Sequence, residues 1–329
     1  MMNIGIDVMS GDNAPYEIID GVCISAKNHS DKIFTLIGDK SLIQEYIVQN
    51  NYSSTNITIL ESSQVLTMED DPMMVIKEKK DSSMAVGLKA LAEGKVDAFL
   101  SAGNTGALHA GSTLIVRKIK GIRRSAIAAI IPFESPILML DSGANPDVTP
   151  DILEQWAILG TVYFNKMFSV EKPRVGLLNN GTEEHKGTEI HQKAYKLLKS
   201  NTKINFVGNV ESKELPNSPC DILITDGFTG NITLKMIEGM GKFFLKSLKN
   251  IFLKKLTSKL SYLMVKKDFG QLKKSFDASS YGGAPLLGLS KPVVKAHGNS
   301  KKKDIISAIE QLIIYHESNI ITKVTDELK

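Results

Sequence analysis

Two short segments of this chain nearly repeat each other, residues 98–106 (AFLSAGNTG) and residues 221–231 (DILITDGFTGN). Each begins as an apolar strand, breaks at a glycine and passes through Thr-Gly into a stretch with helical character. A glycine-lined turn between a strand and a helix leaves backbone N–H groups unpaired, at the helix end whose dipole favours an anion. One such turn could arise by chance, whereas two predict a site built around a bound anion.

A third polar segment, residues 179–187 (NNGTEEHKG), follows another apolar run. Lys186 supplies a positive charge for an anion, and Glu183, Glu184 and His185 are groups that can transfer protons. The alternative is a solvated loop that caps the following helix. This segment is therefore the second candidate for the site.

The elements that must position these residues follow an alternating pattern. Short apolar runs rich in β-branched residues alternate with amphipathic segments, which is typical of a mostly parallel sheet covered by helices on both faces. Residues 126–131 and 137–140 are joined by a short link and are expected to form an antiparallel pair or a sheet edge. The predicted strands are residues 4–8, 33–37, 57–60, 98–100, 126–131, 137–140, 175–178, 204–207 and 222–225. The predicted helices include residues 16–27, 84–92, 152–164, 188–198 and 305–318.

Six loops that follow predicted strands place glycine beside small polar or acidic residues. In a parallel sheet the carboxyl ends of the strands lie on one edge, where ligands bind. We therefore expect these loops to line a single edge, although ordinary turns that use glycine and capping residues are the alternative. The loops are residues 7–12, 101–105, 141–145, 179–182, 226–230 and 296–300.

Composition is that of an ordinary globular protein, with 42% hydrophobic and 23% charged residues in 329. No linker rich in proline, glycine or serine divides the chain, so residues 1–329 are expected to form one domain. Residues 239–276 hold ten lysines and one acidic residue, and predict a lysine-rich amphipathic helical excursion. Two cysteines and an uncharged stretch too interrupted for a membrane span indicate a cytoplasmic protein.

Several chemistries are disfavoured by missing motifs. The chain has no GxGxxG dinucleotide loop, no Walker phosphate loop and no GxSxG serine elbow. The six histidines show no paired zinc spacing, so neither a metal nor a cofactor is predicted. Aromatic residues are sparse, which argues against a nucleic-acid surface.

The ordered motifs resemble the bacterial phosphate acyltransferases of phospholipid synthesis, the PlsX family. The likeness covers essentially the whole chain, with Ser10 standing where the family usually has a second glycine. The motifs are residues 7–12 (DVMSGD), 79–84 (KKDSSM), 101–107 (SAGNTGA), 141–145 (DSGAN), 181–187 (GTEEHKG), 225–231 (TDGFTGN), 286–289 (LLGL) and 296–298 (AHG). The resemblance implies a three-layer α/β/α sandwich like that of isocitrate dehydrogenase and phosphotransacetylase, with a protruding helical hairpin.

The resemblance also implies transfer of a long acyl chain from acyl carrier protein to inorganic phosphate, with no covalent enzyme intermediate. The acyl phosphate product would feed a membrane glycerol-3-phosphate acyltransferase for phosphatidic acid synthesis. In this hypothesis Asn104 and Lys186 stabilise charge, and Asp226 or His185 handles the proton. The phosphate or oxyanion contacts are assigned to Gly103, Thr105, Gly106, Thr229, Gly230 and Asn231.

Two charged surfaces complete the hypothesis. Acyl carrier protein is acidic, and five cations within eight residues are expected to dock it: Arg117, Lys118, Lys120, Arg123 and Arg124. The lysine-rich excursion is expected to lie on an anionic membrane through Leu253, Leu256, Leu260 and Leu263, or to pack against a second subunit of a homodimer. A coenzyme A-dependent phosphotransacetylase, a non-catalytic membrane scaffold and a dehydrogenase remain the alternatives.

Overall fold

The computed structural model describes residues 1–133, 135–253, 267 and 281–327. Its strands form one eleven-stranded sheet in the order β3-β2-β1-β4-β11-β10-β5-β6-β9-β7-β8. The strands are β1 (Asn3–Asp7), β2 (Ile33–Gly38), β3 (Ile57–Glu61), β4 (Ala98–Ser101), β5 (Ala126–Ile131), β6 (Ile137–Leu140), β7 (Arg174–Asn179), β8 (Asn205–Glu211), β9 (Ile222–Ile224), β10 (Ala284–Leu287) and β11 (Val293–Lys295).

Helices flank the sheet. They are α1 (Tyr16–Asn28), α2 (Lys40–Gln49), α3 (Ser83–Ala92), α4 (Thr105–Gly111), α5 (Pro150–Phe168), α6 (Glu189–Ser200), α7 (Gly227–Leu253), α8 (Lys302–Glu317) and α9 (Ile320–Glu327). One turn of π-helix, Ser112–Val116, extends α4, and short 3₁₀ helices lie at Pro72–Val75 and Ser212–Asn217.

Most strand pairings are parallel, as the alternating pattern predicts. The antiparallel pairings join β11 to β10, β10 to β5 and β5 to β6 in the middle of the sheet. The antiparallel pairing of residues 126–131 with residues 137–140 is thus confirmed, but the pair is central. Strands β10 and β11 are absent from the predicted strands because glycine and proline interrupt their short apolar runs.

The three antiparallel steps reverse the sheet, so the prediction that all six loops share one edge is wrong. The loops after β1, β4 and β11 lie on one edge, which we call the first edge. The loops after β6, β9 and β7 lie on the opposite, second edge. Parallel strands bring their carboxyl ends together only while their direction is unbroken. The two similar Thr-Gly turns therefore follow strands that run in opposite directions.

The core lies on both faces of the sheet. On one face a continuous apolar cluster joins the strands to helices that include α1, α5 and α8. On the other face α3 and α4 cover one half of the sheet. Leu234 and Ile237 of α7 pack against an apolar cluster on the other half. Successive side chains of each strand point to opposite faces of the sheet, and both faces are covered. The strands are therefore nearly continuous apolar runs in the sequence.

Helix α7 begins at the second edge and runs to Leu253. The predicted membrane residues Leu256, Leu260 and Leu263, and the second arm of the predicted hairpin, lie outside the described residues. Across the described ranges, no helix is long and apolar enough to cross a bilayer.

Candidate functional site

The second edge holds two polar side chains that make no hydrogen bond or ion pair within the described chain, although the charge of Lys186 acts on nearby Glu183. The stem of Lys186 packs over Gly181, where a Cβ would lie 2.8 Å from Lys186 Cγ. Within the described ranges, no hydrogen bond or ion pair engages the Lys186 ammonium or the Asn231 amide. The Asn231 side chain lies against Gly143, where a Cβ would lie at an ordinary contact distance of 3.5 Å, and the φ of 144° is what favours glycine at this position. A cation and an amide donor are thus available together at the ends of neighbouring strands.

Asp141 shapes this edge from inside. Its fully buried carboxylate accepts hydrogen bonds from the backbone N–H groups of Ile127 (3.0 Å) and Asn145 (2.7 Å), and also from those of Gly143 and Ala144. The Asn145 side chain adds a further donor at 2.9 Å. A carboxylate enclosed by this many donors has a structural role, and it holds residues 141–145 as a rigid turn.

The turn that begins α7 differs from the anion-binding turn that the sequence predicts. Thr229 donates to Asp226 through both its N–H (2.8 Å) and its hydroxyl (2.7 Å). The N–H of Gly230 donates to the Asp226 carbonyl, and that of Gly227 to the Asn145 carbonyl. Asp226 is therefore the N-cap of α7, and the N–H groups predicted to bind an anion at Thr229 and Gly230 are already used. Of the residues assigned to this turn, Asn231 keeps free donors.

The turn that begins α4, at the first edge, does offer free donors. Gly103 N donates to Ser101 Oγ at 3.1 Å, whereas the N–H groups of Asn104, Thr105 and Gly106 donate to no described acceptor. Gly106 packs on Pro72, where a Cβ would lie 2.8 Å from the proline ring. The near-repeat in the sequence thus folds into two turns with different hydrogen-bonding capacity.

The Asn104 side chain has no spare donor for an anion, in contrast to its predicted role. Its Oδ1 accepts from Ala107 N at 3.0 Å, which makes it the N-cap of α4. Its Nδ2 donates to the carbonyls of Met68 (3.0 Å) and Asp70 (3.1 Å). The side chain therefore holds the loop before the Pro72 helix against the start of α4.

We expect Asn104→Ala to lower the free energy of unfolding by about 1 kcal/mol or more, because it removes a cap and two loop contacts. Asn104→Asp retains the capping oxygen but cannot donate to the two carbonyls, so its loss should be intermediate. Urea unfolding of the two variants checks this. Equal losses for Asp and Ala would show that the cap contributes nothing.

His109 links the two edges. It lies about 6 Å along α4 from Thr105, given the rise of an α-helix. Its Nε2 lies 3.3 Å from the Ser125 carbonyl, which also accepts from Asn145 Nδ2 at 2.8 Å. Burial lowers the pKa of His109 and nearby Asp141 opposes the shift, so the ring is neutral near pH 7. Through this shared carbonyl, α4 from the first edge contacts the second-edge loop.

The structure separates the two histidines of the polar segment. His185 is exposed, and its backbone carbonyl, not its ring, accepts from Gln192. His191, in the first turn of α6, is half-buried, and its Nδ1 lies 2.8 Å from Thr188 Oγ1. Burial lowers the pKa of His191 and the nearby charge of Asp226 opposes that shift. The structure thus places His191, which the sequence prediction did not choose, near Asp226, while Glu184 pairs with Lys199.

The five predicted docking cations surround the loop between α4 and β5. Arg117, Lys120 and Arg124 are exposed, while Arg123 pairs with Asp151 at 2.6 Å and Lys118 binds the Arg123 carbonyl. Arg117 has a φ of 73°, a conformation rare outside glycine. The loop ends at Ser125, so this basic surface adjoins the second edge.

Comparisons with known proteins agree over the whole chain. A family model described as "Fatty acid synthesis protein" matches residues 2–323. A phosphate acyltransferase of Caldicellulosiruptor bescii is 44% identical over 328 residues, which cover 99% of this chain and 98% of that protein. A phosphate acyltransferase of Bacillus subtilis is 41% identical over 330 residues, covering 100% of this chain and 98% of its own.

Solved structures support the same fold at lower identity. A phosphotransacetylase from Streptococcus pyogenes has a TM-score of 0.64 and 16% identity, covering 96% of this chain and 94% of its own. The EutD phosphotransacetylase from Staphylococcus aureus has a TM-score of 0.58 and 14% identity over the same shares. The predicted α/β sandwich of the phosphotransacetylase type is therefore confirmed. With the full-length relatives and the matching motif loops, these findings show that the chain belongs to the phosphate acyltransferase family.

Proposed function

We propose that this protein, acting as a single unit of residues 1–329, transfers a long-chain acyl group from acyl carrier protein to inorganic phosphate. A phosphate oxygen attacks the thioester carbonyl carbon, the new C–O bond forms and the C–S bond breaks. The proton of hydrogen phosphate passes to the departing carrier thiolate, so the products are acyl phosphate and free carrier. The thiolate is a good leaving group, so the protein needs no nucleophile of its own.

The single observation that carries this proposal is that Lys186 and Asn231 both follow the carboxyl ends of neighbouring strands, β7 and β9, at the second edge. Neither side chain makes a hydrogen bond or ion pair among the described residues. The Asp226 cap fixes the start of α7, which carries Asn231, and Asn179 Nδ2 donates to the Lys186 carbonyl at 3.2 Å. A cation and an amide donor suit the oxyanion that develops during attack. Asp226 acts as a positioning group in this scheme, and His191 is a closer candidate than His185 for proton transfer.

The first-edge turn supplies a second set of donors. The N–H groups of Asn104, Thr105 and Gly106 donate to no acceptor among the described residues, and His109 connects their helix to the second edge. We infer that they contact the phosphate oxygens, with Gly103 shaping the turn. Thr229 and Gly230 are assigned to the structure of the opposite turn. Holding nucleophile and thioester in one geometry is worth about 7–11 kcal/mol of the barrier in favourable cases.

The decisive assay is phosphate-dependent release of free carrier from palmitoyl-carrier, with the product trapped by hydroxylamine as evidence of acyl phosphate. We expect both signals to appear and to vanish without phosphate. Palmitoyl-coenzyme A, tested in parallel, addresses the alternative of a coenzyme A-dependent phosphotransacetylase. No phosphate-dependent loss of either thioester would favour a non-catalytic scaffold instead.

We propose that the basic loop docks acyl carrier protein. Arg117 and Lys120 are exposed and make no side-chain contact within the described chain. Arg117→Glu with Lys120→Glu should raise the KM for palmitoyl-carrier about tenfold at low salt and leave the KM for phosphate unchanged, because paired charges mainly steer association. Lys27→Glu with Lys40→Glu, the same charge change on exposed residues of α1 and α2, is the control. Equal KM values for the two double variants would contradict this placement.

Helix α7 carries an apolar stripe on its exposed side, made of Phe228, Ile232, Met236, Met240, Phe243, Phe244 and Ile251. We propose that the stripe packs against a second subunit of a homodimer, and that the part of the lysine-rich segment 239–276 beyond the stripe rests on anionic membrane, near the acyltransferase that consumes the product. Leu253, Leu256, Leu260 and Leu263 are the proposed membrane residues. Each lysine near such a surface contributes about 1 kcal/mol.

Two double variants separate these contacts. Leu256→Asp with Leu263→Asp should abolish flotation on vesicles containing anionic lipid and leave the sedimentation coefficient unchanged, because the charges oppose insertion. Ile232→Asp with Met236→Asp should lower the sedimented mass to that of a monomer. Undiminished flotation of the leucine variant would remove those residues from the membrane contact.

A further inference from the structure

A buried ammonium at the first edge belongs to no motif singled out in the sequence. Lys295 ends β11 and is 7% exposed. Its Nζ donates to the Ala102 carbonyl at 3.1 Å and also to the Ala296 carbonyl. Lys295 thus reaches from its own strand to the loop that follows β4, which is the neighbouring strand.

Asp7, at the end of β1, is a second buried charged group at this edge, on the opposite side of β4 from Lys295. It is fully buried, and its Oδ2 accepts from Ser101 Oγ at 2.7 Å while its Oδ1 accepts from Met9 N at 3.2 Å. Ser101 Oγ in turn accepts from Gly103 N at 3.1 Å. Strands β1, β4 and β11 are neighbours, so the three side chains meet at one place.

Together these bonds hold both polar groups of one peptide unit. Its carbonyl, on Ala102, is bound by Lys295, and its N–H, on Gly103, is bound through Ser101 to Asp7. The next three N–H groups along the chain are those of Asn104, Thr105 and Gly106, which have no described acceptor. The orientation of the Ala102–Gly103 peptide therefore sets the direction in which these donors point.

We propose that Lys295 is a positioning residue for phosphate binding, acting with Asp7 and Ser101 to fix the 102–106 turn while touching no substrate itself. The inference rests on the proposed function, because it takes inorganic phosphate as the ligand of that turn.

Two further observations support a functional cluster. Burial lowers the pKa of Lys295 to about 8, against the opposing charges of Asp7 and Asp12, and burial raises the pKa of Asp7. Such shifts are common at functional sites. In addition, Ser10 is 2% exposed and faces Gly103. Its hydroxyl makes no hydrogen bond of good geometry within the described chain, although it lies close enough to Asp7 to stabilise that carboxylate. A hydrophobic core would ordinarily exclude this set of polar groups.

The test compares Lys295→Met with Lys291→Met. Lys291 is a matched control, since its half-buried Nζ also donates to a backbone carbonyl, that of Leu91 at 2.6 Å, but far along the chain from the 102–106 turn. Inorganic phosphate is titrated against each protein without acyl donor, and the rise in unfolding temperature is measured. The KM for phosphate and the kcat are then measured with palmitoyl-carrier.

We expect Lys295→Met to weaken phosphate binding about tenfold or more and to raise the KM for phosphate equally, with the KM for the carrier unchanged. Lys291→Met should lose comparable stability with wild-type phosphate affinity. Lys295→Arg should recover part of the affinity because it retains a donor. If Lys295→Met does not fold, Ser101→Ala, which removes the link between Gly103 and Asp7, is expected to give the same loss of affinity.

Three outcomes would count against these ideas in different ways. Wild-type phosphate affinity in folded Lys295→Met, or in Ser101→Ala when Lys295→Met does not fold, overturns the inference and leaves the proposed function standing. An equal loss of affinity in Lys291→Met would show that the effect is general destabilisation, and also overturns it. Absence of phosphate binding and turnover in the wild-type protein overturns the proposed function and this inference with it.

Discussion

Lys186→Met is expected to lower kcat by about 10²–10³ with little change in stability, because it removes the cation that we propose stabilises the oxyanion on the thioester carbonyl. Lys186 packs its stem over Gly181 and makes no ion pair within the described chain, so methionine can keep the packing and lose the charge. The steady-state rate of acyl phosphate formation at saturating phosphate measures the effect. A charge that acts in the transition state should lower kcat and kcat/KM together.

Lys196→Met is the matched control for this prediction. Lys196 is exposed on α6, so its loss removes the same charge from a neighbouring element without touching the second edge. We expect kcat of this variant within a factor of two of wild type, in keeping with the small effects of most exposed substitutions. Lys186→Arg, which retains the charge with different geometry, should fall between the two. A folded Lys186→Met protein with wild-type kcat would remove Lys186 from the reaction.

Gly230→Ala is expected to disrupt the packing of the start of α7 at the second edge. A Cβ on Gly230 would lie 2.0 Å from the Asp141 carbonyl oxygen, and this contact is with backbone, which cannot rotate away. The start of α7 must then move, and it carries both the Asp226 cap and Asn231. Overpacking of this kind costs about 1–3 kcal/mol and occasionally more. We expect a loss of stability of at least that size, and activity below a hundredth of wild type.

Gly239→Ala, on the same helix, should instead raise the stability slightly and leave the activity unchanged. A Cβ there meets no described atom within 4 Å, and Gly239 is exposed in the middle of α7. Alanine is favoured over glycine inside a helix by about 0.5–1 kcal/mol, so this variant should be slightly more stable and fully active. Urea unfolding and the acyl phosphate assay on both variants check the pair. A Gly230→Ala protein as stable and active as Gly239→Ala would contradict the close approach of α7 to Asp141.

Much of the fold could be read from local patterns. Residues 126–131 and 137–140 are strands with the predicted bounds, and the strand predicted at residues 98–100 is extended by one residue. Apolar runs and amphipathic segments determine which residues are buried, because burial of each face depends on residues close in sequence. The ordered motif loops likewise pointed to the family that full-length comparison then showed. The sequence also predicted that Lys186 would lie on the loop after β7 and that Asn231 would lie near the start of the helix after β9.

The tertiary structure alone decided which loops meet. Three antiparallel pairings in the middle of the sheet place the two similar turns at opposite edges. Pairing between strands that are distant in the chain cannot be recognised from local sequence patterns. Long-range contacts also decided which donors are free. Asp226 and Asn145 satisfy the turn of α7, whereas Asn104 secures a remote loop. The sequence did not predict a role for Lys295, because its interactions with Asp7 and Ala102 exist only when the fold brings these distant residues beside it. The sequence of each segment determines which chemical groups it carries. Packing between distant segments determines which of these groups have internal partners and which can bind a ligand.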